Sequence, residues 1–157
     1  MLKQIYGDFV QRLIHEIQSY YKENLVSIVL FGSVARGVFR NDSDIDVLIV
    51  CEVLPRGATK RMEEFLLIED RLENELRDLR KKEVWIQISP VLKTKEEVLL
   101  GSPLFLDFVF DAKILYDKEN FFNHYISQFK RKLEQSGAKR IQKDMHWYWI
   151  LDPKLDL

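Results

Sequence analysis

The sequence predicts a mixed α/β fold, of the α+β type, in which one sheet is flanked by helices. A short, continuous apolar run at 25–31 is typical of a strand that is covered on both faces, and a second strand is predicted at 44–50, where two aspartates open another apolar run. The segment before them, residues 2–22, carries apolar residues at steps of three and four, as an amphipathic helix does. A second helical pattern follows at 59–81, with Thr59 as its expected N-cap. Helices that alternate with strands predict a sheet backed by helices.

The remaining elements are predicted in chain order. Residues 83–92 form a third strand that ends at or soon after Pro90, and residues 94–100 form a short helix. Residues 104–111 are apolar and fit either a helix or a strand. A last short strand is predicted at 112–116. The strands at 25–31, 44–50 and 83–92 are expected to share one sheet.

A final helix is predicted after Asp117, whose carboxylate can cap it, and it ends at Gly137. The chain then divides into a domain at 1–116 and a C-terminal helix and tail at 117–157 that pack on the same domain. The tail at 139–151 mixes basic and aromatic residues. Such a mixture can stack on single-stranded nucleic acid. It is also typical of packing on the domain or on a second copy of the chain, which we favour.

Composition limits the class of protein. With 157 residues, of which 46% are hydrophobic and 31% charged, the chain suits one domain with a real core. Its 24 basic and 25 acidic residues nearly balance, so composition gives no indication of nucleic-acid binding. No apolar run is long enough to predict a membrane span or a secretory signal. The single cysteine, Cys51, fits a reducing cytoplasm and is expected to be a small core residue.

A short motif carries the chemistry. Gly32 and Ser33 end the first apolar run, and after ten intervening residues Asp44 and Asp46 open the second. Successive side chains of a strand point to opposite faces, so the two carboxylates share one face, away from Ile45. Neighbouring carboxylates repel each other and need a cation. Ligation by oxygen atoms alone favours Mg²⁺, and a carboxylate pair can hold either one such ion or a two-metal site.

The segment that precedes these carboxylates is suited to phosphate. Gly32 lets the backbone approach a triphosphate, and the Ser33 hydroxyl and free backbone N–H groups can hold phosphate oxygens. Ser33 could instead be the N-cap of the short helix, and the same turn geometry allows both roles. Arg36, one helical turn further on, reaches either the phosphates or one of the nearby aspartates. Gly37 is expected to end the short helix.

The pattern of Gly-Ser, ten residues and Asp-x-Asp resembles the DNA-polymerase-β-like nucleotidyltransferase superfamily. The form Gly-Ser-x-Ala-Arg-Gly resembles its minimal members, which are often partners of HEPN-domain proteins in prokaryotic toxin–antitoxin pairs. The resemblance is direct over residues 31–50, and the order of elements extends it to about 1–116. It implies a Mg²⁺-dependent transferase that moves a nucleoside monophosphate, AMP from ATP, onto an acceptor hydroxyl, with a HEPN-domain protein as a candidate acceptor.

The third predicted strand departs from the pattern of that superfamily. Active members usually place a third carboxylate there, facing the first two. In this chain Gln87 lies nearest the expected register, and an amide is neither a charged ligand nor a base. Glu83 has the same parity but lies about 13 Å away along a strand. The sequence therefore also allows a second function: a catalytically weak nucleotide-binding or protein-binding module that neutralises a partner, as an antitoxin does.

Overall fold

The computed structural model describes residues 1–143 and 146–151, which form seven α-helices and six β-strands. The helices are α1 (Leu2–Tyr21), α2 (Gly32–Arg36), α3 (Ala58–Asp70), α4 (Glu73–Lys81), α5 (Lys95–Leu100), α6 (Phe105–Asp111) and α7 (Phe121–Gln135). The strands are β1 (Leu25–Phe31), β2 (Asp44–Cys51), β3 (Gln87–Thr94), β4 (Lys113–Asp117), β5 (Lys139–Lys143) and β6 (His146–Ile150).

Four of the strands form one mixed sheet in the order β3-β2-β1-β4. β1 pairs antiparallel with β2 and with β4, whereas β2 and β3 run parallel. Parallel neighbours need a long crossover, and α3 and α4 supply it. The predicted fold class and the expectation that the first three strands share one sheet are confirmed.

Helices cover both faces of this sheet. One core lies on the side of α1, α3 and α4, where Ile17 and Phe65 pack with Ile45 of β2. The other lies on the side of α5, α6 and α7, where Phe105 packs with Leu48. Because neighbours along β2 point to opposite faces, the strand supplies both cores. Each fully buried aliphatic or aromatic side chain contributes about 1.5–3 kcal/mol.

The crossover differs from the single helix that the sequence predicts at 59–81. α3 begins after Gly57 and not after Thr59. The helix is then broken at residues 71–72, where the N–H groups of Arg71 and Leu72 donate to carbonyls three residues back. This tighter turn places Leu72 in the core at 0% exposure. Burial of that leucine explains why the chain bends there.

The boundaries of the third strand were predicted wrongly. β3 starts at Gln87, because α4 runs into a turn in which Glu83 has a left-handed φ of 63°. It also continues through Pro90 to Thr94. Proline is tolerated there because β3 is an edge strand, whose outer side needs no donor.

The later elements are mostly as expected. Thr94 caps α5 by accepting from the Glu97 N–H at 3.2 Å, in a capping box. The ambiguous apolar segment at 104–111 is a helix, α6. Asp117 accepts hydrogen bonds from the backbone N–H groups of Phe122 and Asn123, at 2.9 and 2.8 Å, and so caps α7 as predicted. No helix among residues 1–143 and 146–151 is long and apolar enough to cross a membrane.

The segment after α7 forms a two-stranded hairpin of β5 and β6. Trp149 stacks on Phe110 of α6 with ring centroids 6.2 Å apart, and Arg140 forms an ion pair of 2.6 Å with Asp111. These contacts connect the hairpin to the end of α6. The tail beyond Leu151 lies outside the described residues.

Candidate active site

Two aspartates stand at the start of β2 on the same face of the sheet. Asp44 is exposed and Asp46 is half-buried, whereas Ile45 between them is completely buried in the first core. On the face of the aspartates, Phe31 of β1 lies opposite Asp46 and packs on Phe108 of α6, with ring centroids 4.6 Å apart. The apolar core therefore ends where the carboxylates begin.

Gly32 holds the backbone directly against Asp46. It has a left-handed φ of 76°, and a Cβ atom built on it would collide with Asp46 Oδ2 and lie 3.1 Å from Cγ. A side chain at position 32 would therefore displace the carboxylate. The glycine is needed both for its backbone conformation and for this close approach.

The short helix α2 carries the other two predicted phosphate-binding residues. Ser33 is its second residue rather than its N-cap, since Phe31 holds the N-cap position. Within the part of the chain that the structure describes, the Ser33 hydroxyl has no hydrogen-bond partner. Gly37 ends the helix in the left-handed conformation, as predicted, and its N–H donates to Val34 O at 3.1 Å.

The charges of the cluster are not balanced. Burial raises the pKa of Asp46, Asp44 raises it further, and Arg36 opposes both. Arg36 thus lies within electrostatic reach of Asp46, but among the described residues it forms no ion pair. Neither of the alternative partners, Asp42 or Asp44, holds it. The structure therefore leaves two adjacent carboxylates and one exposed guanidinium open to a ligand.

β3 brings two uncharged side chains to the carboxylates. Gln87 pairs with Asp44 and Ser89 pairs with Asp46, so both occupy the same face as the aspartates. Gln87 thus lies beside Asp44, and its assignment to the position of the third carboxylate stays a prediction. Sequence reasoning missed Ser89, although its spacing of two residues from Gln87 was the available signal. The described residues contain no group of three or more His, Cys, Asp or Glu side chains that could hold a metal ion.

Glu83, the other candidate for a third acid, lies outside the strand. It belongs to the turn after α4, and its backbone carbonyl accepts a hydrogen bond of 2.9 Å from Asn41 Nδ2. Trp85 N–H donates to Asn41 O at 2.8 Å, which ties this turn to the loop before β2. The register of β3 thus places Gln87, and not Glu83, next to Asp44.

Tyr6 of α1 supports the start of β2 from the opposite face. Its hydroxyl donates to the carbonyl of Ser43 at 2.9 Å, and its ring packs on Phe39. Burial raises the pKa of Tyr6, and the nearby Asp42 and Asp44 add to the rise. The hydroxyl is therefore a stable donor at neutral pH, and it fixes the backbone directly before Asp44.

Cys51 takes no part in the site. It is the last residue of β2, is completely buried and forms no disulfide. Burial raises the pKa of its thiol to about 12. A neutral, buried thiol is a core residue, as predicted, and not a nucleophile.

A glycine-serine turn beside two carboxylates of the next strand, on a mixed sheet, defines an enzyme of the nucleotidyl-transfer class. The chain belongs to the nucleotidyltransferase domain family, which matches residues 10–126. This confirms the assignment to the polymerase-β-like superfamily. The domain of the family thus includes the whole four-stranded sheet and the start of α7.

Curated relatives agree with this family. "Putative protein adenylyltransferase MJ1305" of Methanocaldococcus jannaschii is 29% identical over 152 residues, which cover 94% of this chain and 93% of that protein. "Putative protein adenylyltransferase MJ0604" of the same organism is 41% identical over 44 residues, which cover 28% of this chain and 44% of that protein. The first relative therefore matches over nearly its full length.

Solved structures resemble the chain more weakly. A toxin-antitoxin crystal structure with AMP-PNP has a TM-score of 0.46 and 20% identity, covering 78% of this chain and 91% of that one. The toxin-antitoxin MntA-HepT has a TM-score of 0.44 and 17% identity, covering 81% of this chain and 92% of that one.

Proposed function

We propose that this nucleotidyltransferase moves AMP from ATP onto a hydroxyl group of a partner protein, with Mg²⁺ as its metal ion. The main support for the proposal is the close approach of Gly32 to Asp46. It brings the proposed phosphate-binding turn against two carboxylates that have no ion-pair partner among the described residues. Similarity along nearly the whole length of a relative named as a protein adenylyltransferase supports AMP and a protein acceptor.

The phosphate-binding residues are Gly32, Ser33 and Arg36. Gly32 has no side chain to hold the triphosphate away from the backbone, and the Ser33 hydroxyl is free to donate to a phosphate oxygen. Arg36 is exposed, unpaired among the described residues and near Asp46, so its guanidinium can neutralise phosphate charge. All three residues lie on the β1 side of the aspartates.

Asp44 and Asp46 are the proposed metal ligands. Their donor set fits Mg²⁺, because both are carboxylates, both lie on one face and neither has an ion-pair partner among the described residues. A bound Mg²⁺ supplies charge neutralisation of the triphosphate and polarisation of the α-phosphate. Burial and the neighbouring Asp44 raise the pKa of Asp46, and a bound cation would offset both effects.

The chemical step is an in-line displacement. The acceptor oxygen forms a bond to the α-phosphorus, the bond from that phosphorus to the bridging oxygen of pyrophosphate breaks, and the hydroxyl proton leaves to solvent. With the pyrophosphate held on the α2 side of β2, the acceptor enters from the opposite side, where β3 lies. This places Gln87 and Ser89 on the acceptor side of the site.

The test is transfer from labelled ATP, with Mg²⁺, to a candidate acceptor. A HEPN-domain protein is the first acceptor to test, since the motif resembles that of HEPN-associated nucleotidyltransferases. We expect an acceptor heavier by one AMP group in mass spectrometry, no product with EDTA, and loss of product in Asp46→Asn. The matched control is Asp78→Asn, which removes an exposed carboxylate of α4, on the other face of the sheet.

One observation favours a second candidate function. Uncharged Gln87 lies opposite Asp44, so β3 offers the acceptor side no general base, and loss of a base typically costs about 10²–10⁴ in rate. A protein that binds Mg²⁺–ATP and the partner tightly, but yields no AMP-modified product, would be a neutralising binding module. Binding of Mg²⁺–ATP and of the partner in titration calorimetry, with no transfer in the mass-spectrometry assay, distinguishes this function from the first.

A further inference from the structure

Resting on the proposed function, we infer that the site holds one divalent cation, bound with the triphosphate, because β3 presents only uncharged side chains to the aspartates. Two-metal sites of phosphoryl transfer hold their ions about 3.5–4 Å apart, so that both the entering and the leaving oxygens are stabilised. The second ion of such a pair would lie on the acceptor side, next to β3.

The register of the sheet defines what that side offers. Gln87 lies opposite Asp44 and Ser89 opposite Asp46, on the face that carries both carboxylates. The amide and the hydroxyl can each give one neutral oxygen. Two divalent ions that share two carboxylates repel each other, and neutral oxygens do not offset this repulsion as a third carboxylate would.

The first ion does not depend on β3. The triphosphate adds several anionic oxygens on the side of α2, where Ser33 and Arg36 lie. Asp44 and Asp46 would complete an oxygen-rich site there, together with water molecules. With the nucleotide bound, an ion on the triphosphate side would have anionic ligands from the phosphates and the aspartates, whereas β3 gives only neutral oxygens on the acceptor side.

Glu83 does not restore the missing charge. Its turn precedes β3, its φ is left-handed, and its carbonyl is held by Asn41. Glu83 is four positions before Gln87 in the sequence and lies outside β3. Among the described residues, no cluster of three acidic, histidine or cysteine side chains that could hold a metal forms at the site.

The experiment counts bound Mn²⁺ by electron paramagnetic resonance, with the protein saturated by a non-hydrolysable ATP analogue. We expect one Mn²⁺ per ternary complex for the wild type, without the spin coupling that a close ion pair produces. Gln87→Glu or Ser89→Asp is expected to raise the count to two and to introduce that coupling. Circular dichroism checks the fold of each variant, and the two substitutions test the same side from different positions.

Other outcomes overturn the inference in distinguishable ways. Two coupled ions in the wild type would refute it and leave the proposed function intact, and a return to one ion in Glu83→Gln would then assign the third acid to Glu83. If Gln87→Glu and Ser89→Asp each still bind one Mn²⁺, the uncharged side chains of β3 are not what limits the site to one ion, and the inference is refuted. Failure of the wild type to bind Mn²⁺ with the nucleotide analogue would instead refute the proposed function itself.

Discussion

Gly32→Ala, compared with Gly37→Ala, tests whether Gly32 is required only for its left-handed backbone or also for the space that it leaves beside Asp46. Both Gly32 and Gly37 have a φ of 76°, so alanine at either position is strained by about 1–2 kcal/mol. Only at position 32 does the new Cβ meet another group, the carboxylate of Asp46. At position 37 nothing lies within 4 Å of the new atom. Gly37→Ala is therefore a matched control for Gly32→Ala.

The clash at position 32 has a functional rather than a large energetic cost. Asp46 Oδ2 is the end of a side chain and can rotate away, so we expect both variants to lose a similar 1–2 kcal/mol or so of unfolding free energy. Rotation moves a proposed metal ligand, and a misplaced ligand typically weakens metal affinity about 10–100-fold. Gly32→Ala is thus expected to bind Mg²⁺–ATP at least about 10-fold more weakly than Gly37→Ala.

Urea denaturation and titration calorimetry measure these two quantities on the same preparations. Equal losses of stability with a loss of nucleotide affinity confined to Gly32→Ala would support the reasoning. Equal Mg²⁺–ATP affinities in the two variants would refute it, because the space that Gly32 keeps free would then have no role in binding.

Three further changes are expected to alter stability in directions set by the structure. Burial and Asp44 raise the pKa of Asp46 in the folded protein, so ionisation of this carboxylate lowers stability as the pH rises above about 4, the ordinary pKa of an aspartate. Asp46→Asn should therefore raise the melting temperature at pH 7 in EDTA, and the gain should vanish below about pH 4. Tyr6→Phe removes the hydrogen bond to Ser43 and should lower the unfolding free energy by about 1 kcal/mol in urea titrations. Asp117→Ala should lower the unfolding free energy by about 2 kcal/mol in urea titrations, because it removes both the cap of α7 and the hydrogen-bond acceptor of the buried Ser27 hydroxyl.

The motif could be predicted from sequence because it is local. Strand parity alone places Asp44 and Asp46 on one face, and the glycine-serine turn follows from the end of the first apolar run. The packing of Gly32 on Asp46 could not be predicted, because it depends on the antiparallel register of two strands. The catalytic and binding roles of these residues stay predictions, as does the division of the chain at residue 116.

Errors arose where tertiary contacts decide the local structure. Helical periodicity continues across residues 71–72, yet burial of Leu72 breaks the helix there. Nothing in the sequence marks the left-handed turn at Glu83, so the third strand was predicted to start too early. The spacing of Ser89 from Gln87 indicates a shared face, but its position opposite Asp46 depends on the register of β3 against β2, which the sequence does not give.

Pro90 has a consequence for how a partner protein can meet this enzyme. It lies in the middle of β3, the edge strand on the proposed acceptor side, and it interrupts the row of N–H donors along that open edge. A partner that extended the sheet by β-augmentation would lack a hydrogen bond at this position. An acceptor protein is therefore expected to dock through its side chains. Recognition of that kind leaves the specificity for the acceptor to surface residues rather than to backbone pairing.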